Sequence, residues 1–173
     1  AGIMIILFRP LKLGDFVEID GKLGTVMDIT LNYVEIADLG NVRVIVPNSD
    51  VWGNTISNFS DYPTRRADWT FGVGYGATLA KDAKVIRDAI MADERSHAEP
   101  EPFVQVNNLN SSSVDFLVRV WCDSDIYFAY QADMKRKVKE ALDAEGVDIP
   151  FPTRTLVHQN LHRSEQHHDI AAE

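Results

Sequence analysis

At 173 residues the chain has room for one or two compact domains. A hydrophobic fraction of 45% and a charged fraction of 25% are those of an ordinary globular protein, which excludes a mostly disordered or collagen-like chain. A bilayer-spanning helix needs about 20 consecutive apolar residues, and the sequence has no such run, so it is not a polytopic membrane protein complete in itself. The net charge of −9 and pI near 5.0 disfavour a nucleic-acid partner, because phosphate binding requires a positive surface. The single cysteine, Cys122, excludes an internal disulfide framework and a four-cysteine zinc site, and suits a reducing compartment.

The chain opens with AGIMIILF, Ala1 to Phe8, which lacks the basic start and cleavage site of a signal peptide. Two readings are open. One is a buried N-terminal strand rich in isoleucine. The other is the end of a membrane helix belonging to a longer protein. Arg9 and Pro10 suit the second, since Arg can snorkel to headgroups and Pro pushes the residue before it out of the helical region.

From Leu11 to Ser60 the pattern is of short strands and turns. Phe16, Val17 and Ile19 precede Asp20-Gly21, a two-residue hairpin signal. Gly24 to Ile29, Tyr33 to Ile36 and Val42 to Val46 alternate; Asp38 to Asn41 reads as a turn, and Pro47 stops the last strand. Ile56, Asn58 and Phe59 close the segment. So many short strands in so few residues predict a small barrel of the SH3-like or Sm-like kind. Asp61 to Arg66 is polar and turn-prone, the composition of a linker.

Trp69, Phe71, Val73 and Tyr75 alternate as in a strand. Thr78 opens a helical pattern in which Leu79, Ala83, Ile86 and Ile90 share one face, with Lys81, Asp82, Lys84, Arg87 and Asp88 off it. Phe103 to Val106 is a second strand, and Val114, Phe116, Val118 and Val120 mark a third. Ser124 or Asp125 is placed to cap a helix whose stripe is Tyr127, Tyr130, Met134, Val138 and Leu142. Gly146 stands where a helix-ending glycine belongs. The order strand, helix, strand, strand, helix is that of a ferredoxin-like split βαβ unit. After Pro150 and Pro152, Thr153 to His158 reads as a short strand without an evident partner in its own chain, and residues from about Leu161 are polar.

No catalytic signature stands out. His158 and His162 have a zinc-like spacing, with His167 and His168 nearby, yet no Cys or Glu motif completes a site and a solvated tail explains them. Cys122 as a nucleophile has no evident base, and it reads as a residue following a strand. Gly72 to Gly76 lacks the Lys-Ser/Thr of a phosphate loop; its glycines suit a strand end close to another backbone. No cofactor or metal is expected.

Read together, these segments resemble the MscS family of small-conductance mechanosensitive channels. The resemblance rests on Ala1-Gly2-Ile3 through Phe8-Arg9-Pro10, Gly14 to Ile19, and Gly21 with Gly24-Thr25-Val26. It is strongest in Val44-Ile45-Val46-Pro47-Asn48, then Gly53 to Ile56 and Asn58-Phe59-Ser60. Val118 to Trp121 and Gly146 to Pro152 continue it in the same order.

The resemblance implies an α+β chain whose residues 1–9 end a transmembrane pore helix. Residues 10–62 would be the Sm-like β domain and 63–150 the ferredoxin-like α/β domain. Residues 151–160 would carry a strand (Thr153, Arg154, Thr155, Leu156, Val157) for an inter-subunit barrel, with 161–173 a polar tail. It further implies a homoheptamer in the bacterial inner membrane, with this portion enclosing a cytoplasmic chamber. The whole channel would open under membrane tension and release ions and small solutes in osmotic down-shock. Gly2, Phe8, Arg9, Pro10, Pro47, Asn48 and Ser49 are then the gating or interface candidates, and the partners are other copies, the bilayer and permeating solutes. The competing expectation is a soluble Sm-like and ferredoxin-like module binding RNA or a regulatory ligand, which the acidic charge disfavours where RNA is concerned.

Overall fold

The computed structural model describes residues 2–158; the expected polar tail, with His162, His167 and His168, lies outside them. Gly2–Phe8 forms helix α1, which decides between the two readings of the first residues in favour of a helix. Five strands follow: β1 Phe16–Ile19, β2 Lys22–Ile29, β3 Tyr33–Asp38, β4 Arg43–Pro47 and β5 Ile56–Asn58, with helix α2 Asn48–Gly53 between the last two. They make one antiparallel sheet in the order β4-β3-β2-β1-β5. Its edges, β4 and β5, share no ladder, so the expected barrel is present as an open five-stranded sheet.

The β1–β2 turn is Asp20-Gly21, with φ of 48° and 71°, the left-handed pair that a two-residue hairpin demands. Alternation buries Val17 and Ile19 from β1, Val34 and Ile36 from β3, and Val26 and Val46 from their neighbours. A bulge between Val26 and Asp28 turns Met27 out to solvent. Leu11, Ile5 of α1 and Val51 of α2 complete this core.

A second core belongs to a three-stranded sheet of β6 Thr64–Val73, β7 Phe103–Leu109 and β8 Val114–Asp123, in the order β6-β8-β7. Both outer strands run antiparallel to β8 and hence parallel to each other, as the crossover through helix α3, Leu79–Met91, requires. On β8, Val114, Phe116, Val118, Val120 and Cys122 all point inward. They meet Ile86 and Ile90 of α3 and Tyr130, Met134, Val138 and Leu142 of α4, Tyr127–Ala144. Gly146, at φ 68°, ends α4 as expected.

Four expectations need correction. Thr64, Arg65 and Arg66 are not linker but the start of β6, paired with Asp123, Cys122 and Trp121. The long β8 offers backbone partners that polar side chains do not forbid. Asp82, expected off the apolar face of α3, is buried with the core residues and only 2% exposed. Ser124 does not cap α4: it begins a 3-10 turn, Ser124–Ile126, and its Oγ donates to the Tyr62 carbonyl at 2.6 Å. Cys122 lies within β8 and not beyond it, and burial pushes its thiol up to about 11, which disfavours a reactive thiolate.

The glycines after β6 do approach another backbone. Gly74 N–H donates to the Asp148 carbonyl at 2.9 Å. Residues 151–158 pair with neither sheet; the Thr153 N–H donates to Ser112 Oγ at 3.2 Å, and Phe151, Leu156 and Val157 are exposed.

Beyond α3, Asp93 anchors the α3–α4 layer through a buried charge. Its carboxylate accepts from Arg95 Nε and Nη2 at 2.9 and 2.8 Å and from Lys137 Nζ of α4 at 2.7 Å. Arg95 also reaches Asp133 at 3.0 Å. Nearby, Ser96 Oγ donates to the Ile90 carbonyl at 2.7 Å and lies 2.7 Å from the Tyr130 hydroxyl. The Arg95 hydrogen bonds hold the Asp93 carboxyl well below the usual range; burial opposes this, and Lys137 reinforces it. A depressed carboxylate contributes stability above the unfolded-state value, lost as pH falls through the folded one. Asp93→Asn is therefore expected to cost about 2–3 kcal/mol at neutral pH, at or below the low end for a broken buried pair because its partners are part-exposed. The deficit should shrink below about pH 4, where unfolded Asp protonates. Urea unfolding of both proteins at the two pH values checks this.

Candidate functional site

The site of interest is where α1 lies on the first sheet. Pro47 ends β4, where it pairs with Tyr33, and at φ −56° and ψ 142° it stands just ahead of α2. Asn48, 3% exposed, fixes the start of α2 twice: its N–H donates to the Asn32 carbonyl at 2.9 Å and its Nδ2 to the Thr30 carbonyl at 2.8 Å. The buried Asn48 Oδ1 has no hydrogen-bond partner among the described residues.

Gly2 of α1 sits directly over this point. A Cβ at residue 2 would come within 2.0 Å of the Leu31 carbonyl oxygen and 2.9 Å of Asn48 Nδ2. Only a residue without a side chain allows so close an approach. One turn on, Ile5 is 1% exposed and packs in the same cluster as Val51 of α2. At the far end the Phe8 and Trp52 rings stand 6.2 Å apart, tilted by 33°. Arg9, at φ 46°, closes the helix with its N–H on the Ile5 carbonyl at 3.0 Å.

The chain leaving α1 is held by a polar clasp. Asn58 Nδ2 of β5 donates to Asp15 Oδ2 at 2.7 Å and to the Pro10 carbonyl at 3.2 Å. Asp15 Oδ2 also accepts the Lys12 N–H at 2.9 Å, and Leu11 is buried beside it. The outward side of α1 is bare: Ile3, Leu7 and Phe8 are each about two-thirds exposed.

A second junction joins the two sheets. The Arg65 guanidinium lies 3.6 Å from the ring centroid of Tyr127 and 4.8 Å from that of Phe59. Phe16 meets Phe128 edge-on at 5.3 Å. A cation held over two aromatic faces ties β5's end to α4's start.

Of the candidates from sequence, Gly2 and Asn48 touch, and Pro47 positions Asn48. Phe8 meets Trp52 rather than Pro47 to Ser49. Pro10 contributes its carbonyl. Ser49 is exposed, its Oγ 3.2 Å from Asp50 Oδ1. Thr153 to Val157 lie apart from this junction. Sequence reading missed Ile5, Val51, Trp52, Asp15 and Asn58. The adjacent Val51 and Trp52 after three polar residues are the available signal for α2.

Two family models match: "Mechanosensitive ion channel, beta-domain" over residues 1–61 and "Mechanosensitive ion channel MscS, C-terminal" over residues 67–149. The chain thus belongs to the MscS family of mechanosensitive ion channels, as a counterpart of its C-terminal portion. The small-conductance mechanosensitive channel of Edwardsiella ictaluri is 36% identical over 152 residues, covering 88% of this chain and 53% of the relative. That of Helicobacter pylori is 32% identical, covering 87% and 55%. The chain spans about half the length of these relatives. The closed-state crystal structure of Helicobacter pylori MscS superposes with a TM-score of 0.86 at 31% identity, over 92% of this chain and 63% of that one. Arabidopsis MSL1, at 15% identity and a TM-score of 0.75, shares the fold. The family is one of ion channels and not of enzymes.

Two outcomes test this geometry. Gly2→Val should lift α1 from its seat and speed amide exchange of α1 about tenfold, a loss of about 1.4 kcal/mol, while exchange in α4 stays unchanged. Arg65→Ala should destabilise the chain by about 0.5–2 kcal/mol in urea unfolding, the range for a partly desolvated cation–π contact.

Proposed function

We propose that this chain is the cytoplasmic vestibule of a mechanosensitive channel that opens under membrane tension and passes ions and small solutes in osmotic down-shock. The carrying observation is the seat of α1: an apolar helix bound on one side through Gly2 and Ile5, with Ile3, Leu7 and Phe8 exposed on the other. A helix of that kind, continued by a membrane segment, couples lateral movement in the bilayer to the β domain beneath it. Tension favours the channel conformer with the larger membrane area, a shift between closed and open populations. In this reading residues 1–9 are the end of the pore helix, 10–62 the β domain, 63–150 the α/β domain and 151–160 a strand shared between copies. Gly2, Phe8, Arg9, Pro10, Pro47, Asn48 and Ser49 form the gating junction, with Ile5, Val51 and Trp52 added.

The assembly is a homoheptamer in the bacterial inner membrane, its vestibule facing the cytoplasm. Support for self-association comes from residues 151–158, where Phe151, Leu156 and Val157 are exposed on a backbone that joins neither sheet. One strand from each copy, Thr153 to Val157, would close a barrel.

Patch recording under suction on the channel containing this chain is expected to show tension-dependent current. Trp52→Ala, which removes the contact to Phe8, is expected to shift the tension for half-opening. No current at any tension short of patch rupture would sink the reading. For the vestibule itself, native mass measurement should return a ring of several copies, and a chain that stays monomeric at high concentration would count against it.

A further inference from the structure

We propose that the cleft between the Gly74–Thr78 segment, the first turn of α3 and the chain after α4 binds a small organic diamine, one ammonium on Asp82 and the other on Asp148. The cleft has a volume of about 540 Å³, within the range of small-molecule sites. Two hydrogen bonds build its walls: Gly74 N–H to the Asp148 carbonyl at 2.9 Å, and Thr153 N–H to Ser112 Oγ at 3.2 Å.

Asp82 carries the proposal. It lines the cleft, is 2% exposed, and its Oδ2 has no hydrogen-bond partner among the described residues. A buried carboxylate oxygen without a donor is costly, so native structures supply a partner. The positive end of the α3 dipole eases the charge but gives Oδ2 no proton. Burial raises the Asp82 carboxyl, and nearby Lys81 only partly offsets this. Lys81 is engaged elsewhere, its Nζ 3.2 Å from Glu145 Oε2.

The cleft's charge then asks for two cations. Its lining holds three carboxylates, Asp82, Glu145 and Asp148, against one ammonium, Lys81. With Lys81 and Glu145 paired, Asp82 and Asp148 remain, and the Asp148 carboxylate makes no hydrogen bond or ion pair among the described residues. A metal ion fits poorly: among the described residues no group of three His, Cys, Asp or Glu is arranged to hold one. Ala77, Val147 and Pro150 supply apolar wall for the methylenes between two ammonium groups.

Calorimetric titration of the chain with putrescine, butylamine and Mg²⁺ tests the assignment without recording current, so its failure leaves the channel reading untouched. Putrescine should bind saturably at one site per chain, and Asp82→Asn and Asp148→Asn should each weaken it at least about tenfold. Butylamine should lose affinity with Asp82→Asn and ignore Asp148→Asn. Amide resonances of Gly74 and Val147 should shift on putrescine addition and stay still in Asp82→Asn. Above the raised carboxyl value the buried charge costs stability, so Asp82→Asn should melt at or above the wild-type temperature at neutral pH. Lost binding in that variant is then not lost folding, and exposed Asp148 gives a second variant free of that concern. No saturable binding of putrescine, undiminished binding in Asp82→Asn, or Mg²⁺ binding that displaces putrescine would each overturn the proposal.

Discussion

Asn48 is the point on which the N-terminal architecture depends. A strand that ends in Pro has no N–H to continue its ladder at that residue, and the chain must turn. Asn48 converts that turn into a fixed corner by donating to the Asn32 and Thr30 carbonyls. The corner aims α2 so that Val51 enters the core and Trp52 stands up beside Phe8. It also makes the floor on which Gly2 rests. Take the corner away and Ile5 loses its neighbour, Gly2 its contact surface and Phe8 its facing ring. A rigid corner under a helix held by few contacts is an arrangement in which a small displacement of the helix has to be absorbed by sliding or detachment, because close-packed surfaces do not deform continuously.

The two sheets meet differently. The first core is assembled from short strands and two short helices, the second from long strands and two longer helices, and no hydrophobic cluster spans both. What joins them is a rim of aromatic rings around Arg65. Such a joint keeps its energy over a range of angles better than an interdigitated core does, since a cation over a ring face tolerates rotation. The second unit also holds two nearly buried carboxylates with opposite solutions. Asp93 is saturated by Arg95 and Lys137 and acts as a structural tie. Asp82, which lines a cleft, has an Oδ2 without a hydrogen-bond partner among the described residues.

Much of this was legible locally. Asp20-Gly21 sets its hairpin by turn chemistry alone, and β8 and α4 announce themselves by periods of two and near four. What escaped the sequence depended on neighbours distant in the chain. Residues Thr64 to Arg66 are polar enough to read as linker, yet β8 extends far enough to pair them. The charge of Asp82 sets it apart from the apolar face of α3, and its burial depends on neighbours that spacing along the chain does not reveal. Helix α2 has six residues, too few for a periodic signal, and exists because Asn48 and Val51 are held by the first sheet. At the candidate junction, Gly2, Pro47 and Asn48 come from the family resemblance, and close approach and chain reversal explain why Gly, Pro and Asn stand there. Ile5 was one apolar residue among many, and nothing but packing separates it from exposed Ile3 and Leu7.

The exposed apolar residues fall into two groups that the proposed assembly covers by different means. On α1, Ile3, Leu7 and Phe8 project as side chains from a helix, so lipid or another such helix can cover them without adding a strand. Residues 151–158 differ: their backbone lies outside both sheets, and Pro150 and Pro152 keep it from joining α4. In the proposed assembly another strand covers the exposed Leu156 and Val157 and pairs the backbone outside the sheets. Symmetry then follows from chemistry. If that strand is the same segment of a neighbouring copy, each copy must both offer and accept an edge, and the contact closes into a ring or continues without end.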